Sequence, residues 1–374
     1  MPGLLPDVDP DGLLEYSVVY TDRALNHMSQ AFQNVMRDLS RSLKAVYKAE
    51  AVAIVPGSGT FGMEAVARQF ATGKRCLVLR NGWFSYRWTQ IFEMGDIPAD
   101  SQVLKARRQD DGARAPFAPA PIDEVVAQIH ADRPDLVFAP HVETASGMLL
   151  PDDYLRRVAE AVHAVGGLLV LDCIASGTLW VDMQATGVDI LISAPQKGWS
   201  ASPCCGLVML GAEARRRIEA TTSTSFAADL RKWLSIMEAY ENGGHAYHAT
   251  MPTDGLTRLR DVMAEAEGYG LERLRDAQWE LGNRVRALLV ERGLPSVAAE
   301  GFQAPGVVVS YTDDAGLAGR FMAAGLQVAA GVPLMCDEGE DFRTFRIGLF
   351  GLDKLYDVER SVATLEKALD SLSG

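Results

Sequence analysis

The sequence predicts an α/β protein with a large, mainly parallel sheet domain and a smaller α+β domain after it. Between about residues 50 and 210, short apolar runs alternate with helix-like segments. Nearly uninterrupted apolar runs are typical of parallel strands, because helices cover such strands on both faces. The chain has 374 residues, of which 48% are hydrophobic, so it is long enough for a large core and for two domains.

Five segments in this first part are predicted strands, because each is an apolar run of a strand's length. They are residues 51–55, 76–79, 136–140, 167–172 and 189–193. Between two of these strands, apolar side chains recur at helical spacings at Leu155, Val158, Val162 and Val165. This period predicts a helix with one buried face, begun by Pro151-Asp152-Asp153 and ended by Gly166-Gly167.

The domain boundary is predicted near residues 255–275. We assign residues 17–260 to the large domain and residues 261–374, with the N-terminal segment 1–16, to the small domain. In the small domain, helical segments at about 258–292 and 354–372 flank candidate strands at 307–311 and 345–349. The segment from Ser101 to Pro121, rich in Arg, Asp, Pro and Ala, is predicted to be a surface connection.

The charge of the chain excludes some classes of partner. Lysine and arginine number 36 and aspartate and glutamate 49, which gives a formal net charge of −13. This charge opposes general binding to nucleic acid or anionic membranes, because both need a basic surface to displace counterions. No apolar run approaches the roughly 18 residues of a membrane-spanning helix, and the N-terminus lacks the features of a signal peptide. We expect a soluble cytoplasmic protein that binds neither nucleic acid nor membranes.

The cysteines indicate neither a disulfide framework nor a zinc site. The sequence has five of them, with no C-x-x-C pair and no nearby histidine at metal-ligand spacing. We expect reduced thiols and no metal. The residues are Cys76, Cys173, Cys204, Cys205 and Cys336.

A glycine-rich segment at residues 57–65, G-S-G-T-F-G-M-E-A, follows the first predicted strand and opens a predicted helix. Backbone N–H groups at a helix start, together with the hydroxyls of Ser58 and Thr60, favour binding of an anion such as phosphate. The segment is neither a P-loop nor a G-x-G-x-x-G dinucleotide fingerprint. The alternative interpretation is an ordinary glycine-rich turn between a strand and a helix.

Two charged residues follow predicted strands, at the ends where parallel sheets bind their ligands. Asp172 closes the strand at 167–172, and a carboxylate there can hold a pyridine nitrogen protonated. Lys197 follows the strand at 189–193 after a short turn, and a partly desolvated amine can form Schiff bases. The alternatives are a capping or turn aspartate and a solvated loop lysine. Together the two residues favour a carbonyl-trapping amine paired with a carboxylate.

Seven short motifs are distributed along the chain. They are S-G-T at 58–60, N-G-W-F-S-Y-R at 81–87, H-V-E-T-A-S-G at 141–147, D-C-I-A-S at 172–176, S-A-P-Q-K at 193–197, Y-H-A-T-M-P at 247–252 and R-I-G at 346–348. As a set, these motifs resemble those of the class V, fold type I family of pyridoxal-phosphate enzymes. The resemblance covers most of the chain after about residue 25 and is closest to alanine-glyoxylate, serine-pyruvate and 2-aminoethylphosphonate aminotransferases. It implies fold type I, with a large, mainly parallel sheet of seven strands, a smaller α+β C-terminal domain and pyridoxal 5′-phosphate as cofactor.

The resemblance also implies a role for each residue of the cofactor site. Lys197 would form the Schiff base and move a proton, and Asp172 would pair with the pyridine nitrogen. Phe84 would stack on the ring, although an aromatic residue in an apolar run is more often simple core. Thr144 would hydrogen-bond near the phenolic oxygen. The phosphate would be held by Ser58, Gly59, Thr60 and Gln196.

Two further motifs concern the neighbouring subunit and the substrate. Tyr247 and Thr250 resemble the pair that reaches a neighbouring subunit's phosphate in this family, which implies a homodimer with shared active sites. A surface loop is the alternative for this pair. Arg346 resembles the arginine that binds a substrate carboxylate bidentately, and a structural ion pair is the alternative for this residue.

Several positions depart from the family pattern. The N-terminal Gly-Pro segment of the family is absent, residues 13–23 stand in its place, and His27 is followed by Met28 where arginine is usual. Ser85 stands where glycine is usual, and Cys204-Cys205-Gly206 stands where Pro-Gly is usual. The departures at the N-terminus leave the identity of the substrate open.

The resemblance implies transamination between a small amino acid of the alanine or serine type and a 2-oxo acid such as glyoxylate or pyruvate. An aminophosphonate donor is the alternative among transferases, and it would need extra cationic or hydroxyl groups near the pocket. A pyridoxal-phosphate-dependent lyase is the alternative in a different class, because pocket contacts rather than the cofactor select the fate of the substrate carbanion.

Overall fold

The centre of the molecule is a seven-stranded sheet, seen here in a computed structural model that describes residues 13–372. The strand order is β3-β2-β4-β5-β6-β7-β1, and within this sheet β7 alone runs antiparallel to its neighbours. The five strands predicted from the sequence are all present. The strands are β1 Ala51–Pro56, β2 Arg75–Arg80, β3 Asp100–Lys105, β4 Leu136–Pro140, β5 Leu168–Asp172, β6 Ile190–Ser193 and β7 Cys205–Leu210.

Two strands of the sheet were not predicted. The prediction of a surface connection from Ser101 to Pro121 is wrong at its start, because β3 occupies Asp100–Lys105. This strand lies at the edge of the sheet and none of its residues is fully buried, so its sequence, D-S-Q-V-L-K, lacks the apolar run of a central strand. By contrast, β7 is buried along its whole length and has the apolar run that identified the other strands.

Helices cover the sheet on both faces. Helix α5 confirms the helix predicted around Leu155, Val158 and Val162, and all three side chains are buried. Helix α2 continues into a wider π-helical turn at Ala67–Ala71, and α7 continues into a 3₁₀ turn at Ile218–Ala220. The helices of this part are α1 Gln30–Tyr47, α2 Gly59–Val66, α3 Trp83–Gly95, α4 Ile122–Asp132, α5 Asp152–Ala164, α6 Met183–Thr186, α7 Ala212–Arg217, α8 Leu230–Glu241 and α9 Thr253–Tyr269.

The C-terminal part contains a three-stranded antiparallel sheet with the order β8-β10-β9. Its strands confirm the two that were predicted at 307–311 and 345–349. Two antiparallel ribbons complete the structure, one pairing Arg107–Arg108 with Phe117–Ala118 and the other pairing Val142–Glu143 with Met148–Leu149. The elements are α10 Leu271–Glu291, β8 Val307–Tyr311, α11 Leu317–Ala323, β9 Ala329–Ala330, β10 Thr344–Gly348, α12 Leu352–Leu355 and α13 Val358–Leu372.

The helical segment predicted at about 258–292 consists of two helices. Helices α9 and α10 meet at Gly270, whose φ of 110° falls in a region that residues with a side chain rarely adopt. Helix α9 packs on α1, whereas α10 packs on α13 and β8. The predicted boundary after residue 260 falls inside α9, and the division into two domains stays a prediction. Residues 1–12 of the predicted N-terminal segment lie outside the described residues.

The parallel strands direct their carboxyl ends to one edge of the large sheet. Strand β5 ends at Asp172, and β6 ends at Ser193, close in sequence to Lys197. Open parallel sheets bind ligands at this edge, so the two charged residues predicted from the sequence lie where a site is expected. Across residues 13–372, no helix combines the length and the apolar character needed to cross a membrane.

Candidate active site

The glycine-rich segment forms a turn between β1 and the N-terminus of α2. Ser58 is the N-cap residue, and its hydroxyl makes no capping bond, so it remains free for a ligand. The N–H groups of Gly59 and Thr60 have no acceptor within the helix, because they lie in its first turn. A Cβ on Gly59 would lie 2.5 Å from Cδ1 of Ile174, so only glycine allows this approach to the segment after β5. The turn therefore offers hydroxyl and N–H donors to an anion.

Arg87 adds a positive charge to this turn. Its Nη1 donates a hydrogen bond of 2.9 Å to Oγ1 of Thr60, and its guanidinium carbon lies 5.2 Å from the centre of the Phe84 ring. The sequence analysis missed this residue, although it closes the motif N-G-W-F-S-Y-R. Its position in that motif, three residues after Phe84, was the available signal, because residues three apart share a face if the segment is helical.

Asp172 lies buried at the end of β5. Its carboxylate accepts a hydrogen bond of 2.9 Å from the N–H of Ile174, and its backbone carbonyl accepts one of 2.8 Å from His141. Burial raises the pKa of Asp172 to about 6, although the Ile174 N–H and the charge of Lys197 oppose this rise. A carboxyl group with this pKa can share a proton with a basic ring nitrogen near neutral pH.

Lys197 extends its amine between two aromatic rings. The Nζ atom lies 5.9 Å from the centre of the Phe84 ring and 5.8 Å from that of Phe350. Burial lowers the pKa of Lys197, while the charges of Asp172 and Glu143 oppose this effect. The lowered pKa increases the fraction of neutral amine, which is the form that attacks a carbonyl carbon.

Arg346 lies on β10, with its guanidinium over the Phe84 ring. Its guanidinium carbon is 5.8 Å from the ring centre, and its Nε donates a hydrogen bond of 3.0 Å to the carbonyl of Ala330 on β9. Burial lowers the pKa of Arg346, and the nearby charge of Glu143 opposes this effect. No carboxylate of the described residues forms a salt bridge with it, so the structural ion pair considered from the sequence is absent there. The guanidinium can bind the carboxylate of a ligand.

Glu143 is a second buried carboxylate that the sequence analysis missed. It accepts backbone hydrogen bonds from Phe84 at 3.2 Å, Ser85 at 2.8 Å and Ala145 at 3.0 Å. The hydroxyl of Ser85 donates a further bond of 2.7 Å to it. Thr144 follows Glu143 and is buried as well. Glu143 thus binds the N-terminus of α3 and fixes the backbone at Phe84.

Three of the predicted site residues are exposed to solvent. Tyr247 and Thr250 form a hydrogen bond of 3.1 Å with each other, and the Tyr247 ring contacts that of His27 at 5.5 Å. The side chain of Tyr247 is 55% exposed. Gln196 is exposed in the turn that precedes Lys197. The chain brings the other predicted residues together but leaves the Tyr247–Thr250 pair at the surface.

The residues present fit pyridoxal phosphate. The turn at 58–60 offers donors to a phosphate, and the absence of a side chain on Gly59 lets this turn lie against Ile174, which follows β5. Asp172 and Lys197 supply a carboxyl group for a pyridine nitrogen and an amine for an aldehyde. The ring of Phe84 has its face toward cationic groups and offers a surface on which a flat ring can stack.

Comparisons with known proteins show which proteins this chain is similar to. An alanine–glyoxylate aminotransferase from Oryctolagus cuniculus is 25% identical over 92% of this chain and 86% of its own length. A 2-aminoethylphosphonate–pyruvate transaminase from Paraburkholderia phymatum is 28% identical over 93% of this chain and 89% of its length. The crystal structure of an alanine–glyoxylate aminotransferase from Nostoc sp. has the same fold, with a TM-score of 0.77 at 21% identity over 92% of this chain and 88% of that chain.

The family follows from the sequence match. The sequence profile described as "Aminotransferase class-V" matches residues 13–305, which is more than half of the chain. The resemblance in the motifs, the predicted fold class and the predicted cofactor are thereby confirmed. The chain belongs to the class-V aminotransferases, a family of fold type I enzymes with pyridoxal phosphate as cofactor.

Proposed function

We propose that the protein catalyses transamination between a small amino acid of the alanine or serine type and a 2-oxo acid, glyoxylate or pyruvate. One observation supports this most strongly: the Lys197 amine and the unpaired Arg346 guanidinium lie on the same aromatic ring, that of Phe84. An α-amino acid has an amino group and a carboxylate on one carbon, so it fits an amine-reactive centre beside a carboxylate-binding arginine.

The residues at the strand ends would hold the cofactor. Ser58, Gly59, Thr60 and Gln196 would bind the phosphate, and Thr144 would hydrogen-bond near the phenolic oxygen. Asp172 would keep the pyridine nitrogen protonated, because a carboxyl group with a pKa of about 6 is mostly ionised near neutral pH and its negative charge stabilises the protonated ring. Phe84 would stack on one face of the ring.

Lys197 would act twice in each half-reaction. When bound, pyridoxal phosphate supplies an aldehyde that condenses with amines and a ring that withdraws electrons from the substrate's α carbon. The Lys197 amine would hold the cofactor by its aldehyde. Its Nζ would also accept the substrate's α proton and donate it again, and the lowered pKa that burial produces favours this role because it increases the fraction of neutral amine.

Arg346 would orient the substrate by its carboxylate. Its Nε is already bonded to the carbonyl of Ala330, which fixes the plane of the guanidinium and leaves the terminal nitrogens for a bidentate bond. The rings of Phe84 and Phe350 both lie within 6 Å of the Lys197 amine. They restrict the space beside the α carbon, which favours a small side chain.

We propose further that the enzyme is a homodimer with shared active sites. Tyr247 and Thr250 face solvent with their hydroxyls bonded to each other, as expected of groups that bind a neighbouring subunit's phosphate. Four large apolar side chains in the N-terminal segment are strongly exposed, and exposed apolar surface is typical of an interface. These side chains are Leu13, Leu14, Tyr16 and Val18.

We place the enzyme in the cytoplasm. All five cysteines are free thiols, the state that a reducing compartment maintains.

An aminophosphonate donor is the second candidate, and the relative from Paraburkholderia phymatum favours it. A phosphonate has a higher negative charge than a carboxylate and would need more cationic donors than Arg346 alone. Arg87 is the nearest further cation on Phe84, but it is bonded to Thr60 in the phosphate-binding turn. The geometry therefore favours the amino acid.

A screen of single half-reactions tests the proposal. The purified holoenzyme is mixed with one donor and no acceptor, the donors being alanine, serine, aspartate and 2-aminoethylphosphonate, and the cofactor absorbance is followed by stopped flow. We expect alanine or serine to convert the bound cofactor to its amine form, and glyoxylate or pyruvate to reverse the change. Conversion by 2-aminoethylphosphonate alone would support the second candidate. Release of ammonia without conversion would identify a lyase and contradict transamination.

A further inference from the structure

Cys204 and Cys205 are adjacent in sequence, and their sulfur atoms lie 3.7 Å apart. Cys205 is the first residue of β7 and is fully buried, whereas Cys204 precedes the strand and is partly exposed. The other three cysteines are buried as single residues. The pair is therefore the place in the described chain where two thiols can react with each other, and nothing in the proposed catalysis uses it.

The pair lies directly beneath the phosphate-binding turn. The carbonyl of Cys204 accepts a hydrogen bond of 2.9 Å from the N–H of Gly57, and Cys205 is paired with Pro56 across the two strands. A Cβ on Gly206 would come within 2.9 Å of the carbonyl oxygen of Ser58. Residues 204–206 and the turn are thus packed backbone against backbone, and a shift of the Cys204 peptide must move the turn.

We propose that Cys204 and Cys205 form a redox-sensitive thiol pair, in which a hydroperoxide closes a disulfide between them and thereby loosens the phosphate-binding turn. The second part rests on the proposed function, because it requires that residues 58–60 hold the cofactor phosphate. The closing experiment therefore measures the disulfide and the cofactor separately.

The reaction consumes one hydroperoxide for each pair. The Cys204 thiolate attacks the peroxide oxygen and forms a sulfenic acid, and the O–O bond breaks with release of water or an alcohol. The Cys205 sulfur then attacks the Cys204 sulfur, the S–O bond breaks, and the Cys205 proton leaves with the hydroxide as water. Two thiols are oxidised by two electrons in total, and the peroxide is reduced by the same two.

The two thiols differ in pKa and in accessibility, as the two steps of this reaction require. Their mutual hydrogen bond lowers the pKa of Cys204, which favours its thiolate and hence the first attack. The same hydrogen bond and burial raise the pKa of Cys205, so it stays protonated until the sulfenic acid forms beside it. Cys204 is also the more accessible of the two, as the residue that meets peroxide must be.

The disulfide would be strained and therefore reversible. The Cα atoms of neighbouring residues lie about 3.8 Å apart across a trans peptide, below the roughly 4.4–6.8 Å usual for disulfides. The sulfurs must also approach from 3.7 Å to about 2.05 Å, so the intervening peptide has to change its geometry. The carbonyl of Cys204 belongs to that peptide, and its bond to Gly57 is the one that we expect to break. Strained disulfides are readily reduced by cellular thiols.

The experiment treats the purified holoenzyme with stoichiometric hydrogen peroxide, with Cys204→Ser and Cys336→Ser holoenzymes in parallel. Intact mass and peptide mapping report the bond, and gel filtration followed by cofactor absorbance reports retained pyridoxal phosphate. We expect the wild type and Cys336→Ser to lose two hydrogen atoms within the peptide that contains residues 204–205. Affinity for the cofactor should fall roughly tenfold or more, the change expected from losing one charge-assisted hydrogen bond, and dithiothreitol should restore it. Cys204→Ser should keep its cofactor.

Each other outcome overturns a defined part of the proposal. Oxygen addition to Cys204 without a disulfide, or a disulfide elsewhere, overturns the thiol pair. A disulfide at 204–205 with unchanged cofactor affinity overturns the coupling to the turn, as does equal cofactor loss from Cys204→Ser. If the unoxidised protein binds no pyridoxal phosphate, the proposed function fails, and the mass measurement still decides whether the disulfide forms.

Discussion

The site at the carboxyl ends of the parallel strands, which contains Asp172 and Lys197 and is called the strand-edge site below, differs from the Tyr247–Thr250 pair in its contacts. Asp172 and Lys197 lie at the ends of central parallel strands and interact with each other electrostatically, and the Lys197 amine lies near the rings of Phe84 and Phe350. Tyr247 and Thr250 lie on an exposed segment between two helices. The first region brings its charged groups together within one chain, whereas the hydroxyls of the second are bonded to each other at the surface. In the proposed homodimer, the chemistry would belong to one subunit and part of the phosphate binding to its partner.

The largest effect is expected at Lys197, which tests whether the strand edge is the chemical centre. Lys197→Ala removes both the amine that bonds to the cofactor and the group that moves the proton. We expect the turnover number to fall by roughly 10⁴-fold or more, measured by steady-state transamination. The control is Lys232→Ala, which removes an exposed lysine on α8 and should leave turnover unchanged. Full turnover by Lys197→Ala would contradict the assignment.

The second prediction concerns the pH dependence of stability at the same edge. Folding raises the pKa of Asp172 from 3.8 to about 6. The contribution of this group to the unfolding free energy is therefore fully present below pH 3.8 and is lost as the pH rises through about 6. Between about pH 4 and pH 8, the cofactor-free wild type should lose on the order of 3 kcal/mol of unfolding free energy relative to Asp172→Asn. Urea unfolding of both proteins at the two pH values measures this difference. Parallel pH profiles would show that burial does not perturb this carboxyl group.

The third prediction tests whether two subunits contribute residues to the same cofactor site. Tyr247→Phe should lower the affinity for pyridoxal phosphate by roughly ten- to a hundredfold, because a hydrogen bond to a charged phosphate is lost. A dimer formed from one Tyr247→Phe subunit and one Lys197→Ala subunit has one fully native site if the sites are shared. The two variants are mixed and allowed to reassociate. At limiting cofactor, the activity of the mixture should therefore exceed the average activity of the Tyr247→Phe and Lys197→Ala proteins measured separately. Activity equal to that average would mean that each subunit binds its cofactor alone.

The smallest effect is expected at Ser85, where the strand-edge region differs from the family pattern. Ser85→Ala removes the hydroxyl that donates to the buried Glu143 but leaves the three backbone hydrogen bonds in place. We expect a loss of about 1–2 kcal/mol in unfolding free energy, measured with urea. Ser235→Ala, at an exposed serine on α8, should change it by much less. Equal losses of unfolding free energy in Ser85→Ala and Ser235→Ala would mean that the hydrogen bond from Ser85 to Glu143 does not stabilise the fold.

The sequence predicted the chemistry of the strand edge because it follows from local patterns. Apolar runs identified β5 and β6, and the rule for parallel sheets placed Asp172 and Lys197 at the same edge. The edge strand β3 was missed because it is half exposed and lacks that pattern. Core burial, which makes central strands easy to recognise, is absent at the edge of a sheet.

The supporting contacts could not be predicted, because they join segments that are distant in sequence. Glu143 binds Ser85 across 58 positions, and Arg87 binds Thr60 across 27. The absence of an ion pair at Arg346 is likewise a property of the packed structure. The proposed role of Tyr247 requires a second chain, which no periodicity within one sequence describes.

The most direct test of the central claim is to identify the residue that bonds to the cofactor. Borohydride fixes the adduct between pyridoxal phosphate and a lysine permanently, and proteolysis with mass spectrometry then locates it. We predict a single modified peptide with the phosphopyridoxyl group on Lys197. A modification at any other lysine, or none in a protein that retains the cofactor, would contradict the assignment of Lys197 as the catalytic amine.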